Sequence, residues 1–163
     1  MQKIFCFLFL MVMCSNSIAQ AYKVIGIKDG DTASLLIEGK PQTVRLAHID
    51  CPEKKQPYGT KAKEMLSLLC FGKYVTLAGG DKLDRNKRLI AELILPNGIN
   101  VNKIMVKNGL AWHYKKYSKE ASYAKLEIEA KKKKMGLWTE RNPIAPWEWR
   151  KLRKSAPHKS IIF

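Results

Sequence analysis

The stretch Val44-Arg45-Leu46-Ala47-His48-Ile49-Asp50-Cys51-Pro52-Glu53 decides how this chain is read. Val44 and Leu46 alternate with Arg45 and Ala47, the period-2 pattern of a strand with one buried face, and Pro52 stops any ladder because it has no N–H to donate. Asp50 and Glu53 are thereby placed at a strand end. Upstream, Asp31 to Glu38 reads as a second strand, and Gly39-Lys40 is short enough to be a two-residue hairpin turn. With Glu38 facing Pro41, Asp31 falls opposite His48, two places from Asp50. The two aspartates are then expected at about a diagonal cross-strand spacing, ~7–8 Å.

Two converging carboxylates carry a cost. At ~4 Å and an effective dielectric of ~20 they repel by about 4 kcal/mol, so either one stays protonated or a cation bridges them. Oxygen-only ligands from a loop and a strand favour a hard ion, Ca²⁺ ahead of Mg²⁺ when the cage is flexible. The pairing arithmetic alone is equally consistent with two solvated turn residues.

The chain has 163 residues, which is room for one domain with a real core. Its 30 Lys and Arg against 14 Asp and Glu give a net charge of +16. Such a surplus favours polyanionic partners, whether nucleic acid, anionic glycans or an anionic membrane face. Residues 1–21 read as a cleaved signal peptide, with Lys3 as the basic start, Ile4 to Met13 as an apolar run and Ala19 and Ala21 as an Ala-x-Ala site. Cleavage after Ala19 is the close alternative. The apolar run falls short of the ~20 residues of a spanning helix. An exported chain, periplasmic or secreted, with no stable membrane association is expected. Loss of the segment removes Cys6 and Cys14. Cys51 and Cys70 remain and are expected as two buried free thiols, because a helix of about a dozen residues, ~18 Å long, separates them.

In order, Tyr22 to Lys28 reads as a strand with Ile25 and Ile27 on one face, and Asp29-Gly30 is a turn signal. Asp31 opens the second strand, on which Ala33, Leu35 and Ile37 share a face, and the opening stretch supplies the third. A helix from Lys61 to Phe71 then buries Ala62, Met65, Leu66, Leu69 and Cys70, capped by Thr60 and ended by Gly72. Lys73 to Ala78 and Arg88 to Leu95 are two further strands around the charged loop Asp81 to Lys87. Asn100 caps a short helix, and a third helix from Lys119 to Met135 is expected to turn Ala121, Ala124, Ile128 and Met135 inward. The segment from Pro143 is rich in Pro and Trp and then basic. The fold class is therefore a β-barrel with helices (α+β), a five-stranded OB-fold barrel with three α-helices.

At Asp29-Gly30-Asp31-Thr32, Arg45-Leu46, Asp50-Cys51-Pro52-Glu53 and Asp84-Arg85 leading to Arg88, the chain resembles the thermonuclease family, the staphylococcal-nuclease-like secreted nucleases. Gly109-Leu110-Ala111-Trp112, Gly136-Leu137-Trp138 and Pro146-Trp147-Glu148-Trp149-Arg150 extend the likeness over a domain spanning residues 22–150, followed by a basic tail, 151–163. The resemblance implies Ca²⁺ held by Asp31, Asp50 and the main-chain carbonyl of Cys51, with Asp29 orienting metal-bound water. It implies Glu53 as the acid that positions or deprotonates the attacking water, and Arg45 and Arg88 as the grip on the scissile phosphate. Tyr114, Tyr117 and Arg85 are the candidate substrate contacts. Asn86-Lys87 departs from the aromatic-Gly pair common in the family. His48, His113 and Trp112 are read as packing residues, and Lys131 to Lys134 as a solvated helix face.

The function these residues imply is hydrolysis of phosphodiester bonds in DNA and RNA on the 5′-oxygen side, leaving 3′-phosphate ends, by a monomer. The rival is a non-catalytic OB-fold module that binds single-stranded nucleic acid or anionic glycans through its basic surface. A cationic cell-surface protein is a third reading, in which the acids have no purpose.

Overall fold

A computed structural model describes residues 20–155. Its element order is β1 (Ala21–Asp29), β2 (Thr32–Ile37), β3 (Lys40–Leu46), β4 (Ile49–Asp50), α1 (Gly59–Cys70), β5 (Tyr74–Leu83), β6 (Leu89–Ile94), α2 (Val101–Lys107), β7 (Trp112–His113), α3 (Ala121–Lys132), a 3₁₀ turn (Gly136–Thr139) and α4 (Pro146–Ser155). Five strands close into a barrel in the order β1-β2-β3-β6-β5, with β3 and β6 parallel, as an OB-like barrel requires. The signal segment, apart from Gln20 and Ala21, lies outside the described residues, as does the tail beyond Ser155. Among the described residues no helix is long and apolar enough to cross a membrane.

Val24, Leu35, Val44, Leu46 and Leu93 fill the barrel, and Ala62, Leu66 and Cys70 of α1 close it from one end. Each fully buried aliphatic side chain contributes about 1.5–3 kcal/mol relative to exposure, so this cluster is the main stabilising term. In β1 the inward residue is Val24, while Ile25 is exposed. Register shifts between Val24 and Gly26 and between Ile27 and Asp29 explain the departure from simple alternation, because each bulge changes which face the next residue takes.

The β2–β3 hairpin turns at Glu38-Gly39, one residue earlier than expected. Both take positive φ, 50° and 74°, as the tight turn matching strand twist demands, and glycine at the second position makes it cheap. The register that follows pairs Thr32 with Arg45 and Leu36 with Pro41, so Asp31 meets Leu46 rather than His48. Asp50 does not continue β3 either. The chain reverses at Ala47-His48, with His48 at φ 68°, and Asp50 sits on the separate strand β4, paired with Trp112 of β7.

The helices bring further corrections. α1 begins at Gly59, with Tyr58 as its N-cap in a left-handed conformation, so Thr60 lies inside the first turn and caps nothing. In α2 Asn100 does cap, accepting from the Lys103 N–H at 3.0 Å. α3 buries Tyr123, Glu127 and Ala130, and the expected inward residues Ala121 and Ile128 are exposed. The apolar pattern pointed to the wrong face because Glu127 is buried: it accepts the His113 N–H at 3.1 Å and pairs with Lys115 and Lys131. A fourth helix, α4, occupies the Pro- and Trp-rich segment and runs into the expected tail.

Cys51 and Cys70 are buried and free. Burial pushes the Cys70 thiol up to about 12 and raises Cys51 well above its ordinary value. Both are therefore expected to resist a thiol reagent in native protein at pH 8 and to react once the chain is unfolded in urea. Rapid native labelling of either would contradict this packing.

Candidate active site

Asp31 lies in the turn between β1 and β2, and its N–H donates to Asp29 Oδ1 at 3.2 Å. Its Oδ2 accepts the Cys51 N–H at 2.6 Å, and Cys51 Sγ in turn reaches the Gly30 carbonyl at 3.1 Å. The β1–β2 turn is thereby clamped to the segment after β4. Gly30 permits the approach: a Cβ there would stand 2.7 Å from Ala62 Cβ and 2.8 Å from Cys51 Cβ. Gly30→Ala is expected to destabilise by about 1–3 kcal/mol through overpacking, read as a lower urea midpoint. Ala62→Gly in the same chain is expected to recover part of the loss.

Arg45 projects from β3 across the reversal. Its Nη1 donates to the Leu46 and Ile49 carbonyls, both at 2.9 Å, and its Nη2 reaches Asp50 Oδ1 at 2.8 Å and Asp31 Oδ2 at 3.2 Å. One guanidinium thus holds the reversal's shape and stands between two buried carboxylates. Its planar fork suits this task, since a single ammonium could not satisfy four acceptors in fixed directions.

Glu53 follows Pro52, and its backbone N–H donates to Gln56 Oε1 at 3.1 Å. The same Gln56 side chain donates to the Ile144 carbonyl at 2.6 Å, tying the Glu53 loop to the approach of α4. Arg150 of α4 then closes the arrangement: Nη2 lies 2.7 Å from Asp50 Oδ2, and Nη1 lies 2.7 Å from Glu53 Oε1. Asp31, Asp50 and Glu53 are consequently linked through two guanidiniums, Arg45 and Arg150. Reading the residues assigned no role to Arg150. The available signal was its place three residues after Trp147, which puts both on one face of a helix.

The remaining candidates make no ion pair or hydrogen bond with the carboxylates of this cluster among the described residues. Arg88 is paired with Asp84, through Nε and Nη2 both at 2.7 Å, rather than with the three carboxylates. Arg85 is exposed on the loop between β5 and β6. Tyr114 stacks on Trp147 at 5.3 Å with planes 5° apart and meets Tyr117 edge-on at 5.0 Å. A cleft of about 350 Å³ opens there, lined by Trp112, Tyr114 and Trp147 with Lys115, Lys116, Lys131 and Lys151. Stacking faces beside ammonium groups are what a single strand's bases and phosphates require. His48 and His113 share Ser118 Oγ, each at 3.0 Å, and pack against Tyr123, so the two rings serve the packing between β7 and α3.

Desolvation by burial raises the Asp31 carboxyl to about 7; Arg45 draws it down, while Asp29 and Asp50 push it further up. The cluster sets three carboxylates against two guanidiniums, and its donor atoms are hard oxygens. That donor chemistry fits a hard cation. Among the described residues no group of three or more His, Cys, Asp or Glu side chains stands close enough to cage an ion. A Ca²⁺ ion, which takes about six to eight oxygens, would need main-chain and water oxygens beyond Asp31 and Asp50.

Comparison with known proteins agrees with the barrel. Residues 43–140 match the family described as "Staphylococcal nuclease homologue". The chain is 44% identical over 133 residues, 81% of its length and 74% of the relative's, to a Haemophilus influenzae protein named "Uncharacterized endonuclease". It is 38% identical over 144 residues, 82% of each chain, to the "Micrococcal nuclease" of Shigella flexneri. An Escherichia coli O157:H7 "Uncharacterized endonuclease" is 39% identical over 128 residues, 78% of this chain and 83% of that one. On a closed OB-like barrel, a matched domain and relatives at this level of identity, the chain belongs to the staphylococcal nuclease family.

Proposed function

We propose that this nuclease-family protein is an exported, Ca²⁺-dependent phosphodiesterase that cleaves DNA and RNA on the 5′-oxygen side, leaving 3′-phosphate ends. The observation that carries the reading is the single ion-pair network joining Asp31, Arg45, Asp50, Arg150 and Glu53. Asp31, Asp50 and the Cys51 carbonyl would hold the ion, which when bound supplies electrostatic stabilisation of the charge that builds on the phosphate oxygens.

The chain's own groups do the rest. Glu53, a carboxylate on the rim of the cluster, orients the attacking water and accepts its proton as the water oxygen bonds to phosphorus. The bond from phosphorus to the 5′ oxygen breaks, that oxygen takes a proton from solvent and Glu53 returns its proton to solvent, so one water is added in total. Arg88 places a forked pair of N–H donors on the phosphate oxygens, gaining strength as charge develops there, while Arg45, its four Nη hydrogens engaged by Leu46, Ile49, Asp31 and Asp50, adds its positive charge and its Nε–H. Arg88 reaches the phosphate by exchanging the Asp84 carboxylate for an acceptor of similar geometry. Tyr114, Tyr117 and Arg85 line the path of the strand, and the lysine surplus draws it in.

Export is part of the same proposal. Ala21 is already paired with Thr76 in β1, so cleavage after Ala19 keeps the whole strand, while cleavage after Ala21 removes its first pair. A monomer suits a site built within one barrel. The test is the purified mature chain incubated with single-stranded DNA, double-stranded DNA and RNA, in Ca²⁺ and in chelator, with end-group analysis of the products. Ca²⁺-stimulated cleavage leaving 3′-phosphates is expected. Tight binding with no cleavage would transfer the assignment to the non-catalytic OB module, which the aromatic and lysine cleft would equally serve.

A further inference from the structure

We propose that Arg150 is a positioning residue for Glu53, so that α4, which lies beyond the family-matched residues 43–140, completes the reactive centre. The inference rests on the role given to Glu53 above.

Three observations converge on it. First, the Arg150 fork bridges two acids of different duty: Nη1 to Glu53 Oε1 at 2.7 Å, Nη2 to Asp50 Oδ2 at 2.7 Å and Nη1 to Asp50 Oδ1 at 3.3 Å. Burial works against its charge, but hydrogen bonds to Asp50 and Glu53 outweigh that and hold Arg150 firmly protonated. Glu53 itself is 36% exposed on its side chain and follows a proline in a loop; Arg150 is its one ion-pair partner among the described residues. Its rotamer is otherwise free.

Second, α4 is anchored independently of that contact. Trp147, on the same helix face as Arg150, stacks on Tyr114 and meets Trp112 edge-on at 5.6 Å. Trp112 pairs directly with Asp50 across β4 and β7, so the two side chains share one face of that strand pair. The helix therefore crosses the pair with an aromatic residue on one position and a guanidinium on the next. Third, Gln56 fixes the same spacing from the other side, bonding the Glu53 N–H and the Ile144 carbonyl just ahead of α4. A carboxylate held by a fork on an anchored helix is preorganised, whereas a solvated loop glutamate samples many orientations.

The chemistry needs that restraint. A general base acts only when its oxygen meets the water on the line of attack, and a displacement of ~1 Å can cost about 10²-fold in rate. Both Asp50 oxygens take Arg150 N–H groups, so the distance between Asp50 and Glu53 is set by the width of one guanidinium.

The experiment compares wild type, Arg150→Gln, Arg150→Lys and Arg153→Gln, an exposed α4 cation that serves as the control for lost charge. For Arg150→Gln we expect kcat to fall about 10-fold to 10²-fold with KM nearly unchanged. Arg150→Lys should recover part of kcat, added methylguanidinium should restore activity to Arg150→Gln alone, and Arg153→Gln should match wild type. Calorimetric titration with Ca²⁺, with no substrate present, should show binding retained in Arg150→Gln, since Asp31 and Asp50 remain. Should Arg150→Gln fail to fold, the same kcat and KM split in Arg150→Lys decides. An Arg150→Gln enzyme as fast as wild type, or faster, would overturn the proposal, the latter pointing to a latch that covers the acids. A loss confined to KM would overturn it too. A wild-type chain with no Ca²⁺-stimulated cleavage would sink the nuclease reading itself, an outcome distinct from an active wild type whose variant is equally active.

Discussion

Glu53→Gln is expected to lower single-turnover cleavage by about 10²–10⁴-fold, the usual contribution of a placed acid–base group, while leaving nucleic-acid affinity close to wild type. The amide keeps the shape of the side chain and can still face Arg150 with its carbonyl oxygen, but it cannot take a proton from water. Stability should change little, because the Glu53 carboxylate is partly solvated and Arg150 keeps its second partner, Asp50. Affinity is carried by a net charge of +16 spread over the chain, so one neutralised carboxylate barely alters it. The measurements are rapid-quench cleavage in Ca²⁺ and fluorescence anisotropy with labelled single-stranded DNA at a fixed salt concentration. Equal cleavage rates in the two proteins would remove Glu53 from the mechanism.

Arg45→Met should show the largest loss of stability of any single change at the site, about 3–5 kcal/mol at pH 7 in chelator, the range found when one partner of a buried ion pair is removed. Methionine fills most of the volume but leaves Asp31 and Asp50 facing each other without the guanidinium between them. It also abandons the Leu46 and Ile49 carbonyls that Arg45 holds across the reversal.

The pH dependence of this loss has a definite sign. In wild type the Asp31 carboxyl, raised from 3.8 to about 7, stays protonated in the folded state over a range where the unfolded chain has released its proton. Its contribution is fully present below about pH 4 and is lost as pH rises toward 7. Without Arg45 the folded-state value climbs further, so Asp31 adds little to the gap between variant and wild type from about pH 4 to about pH 6 and widens it as pH rises through about 7, where the wild type releases the proton that the variant keeps. Excess Ca²⁺ should narrow it by binding the folded state alone. Urea denaturation across that range, with and without Ca²⁺, checks all three statements. A gap below ~1 kcal/mol at pH 7 would mean that the two aspartates do not depend on Arg45.

The barrel was legible because its information is local. Strand alternation in β2 and β3, the Asn100 cap and the apolar spacing of α1 each act within a few residues, and each reappears in the structure. The acids and arginines of the candidate site were legible as a set only through resemblance to known motifs, because spacing alone is equally consistent with solvated turn residues. Where patterning failed, a tertiary partner had changed the rule. Glu127 looks like a solvent residue and is buried by His113, Lys115 and Lys131, which turns α3 away from its apolar stripe. Lys87, where the family commonly has glycine, adopts a positive φ of 59° that its residue type disfavours.

By itself, then, the amino-acid sequence determined the barrel class and the free buried cysteines, since periodicity, turn chemistry and helix length are properties of short segments, while resemblance to a known family supplied the roster of Asp31, Arg45, Asp50 and Glu53. Only the tertiary structure decided that Asp50 belongs to a separate strand facing Trp112 and that Arg150 reaches Glu53. Those contacts join residues as much as 97 positions apart. Their geometry follows from how α4 and the β4–β7 pair settle on the barrel, which no local pattern encodes.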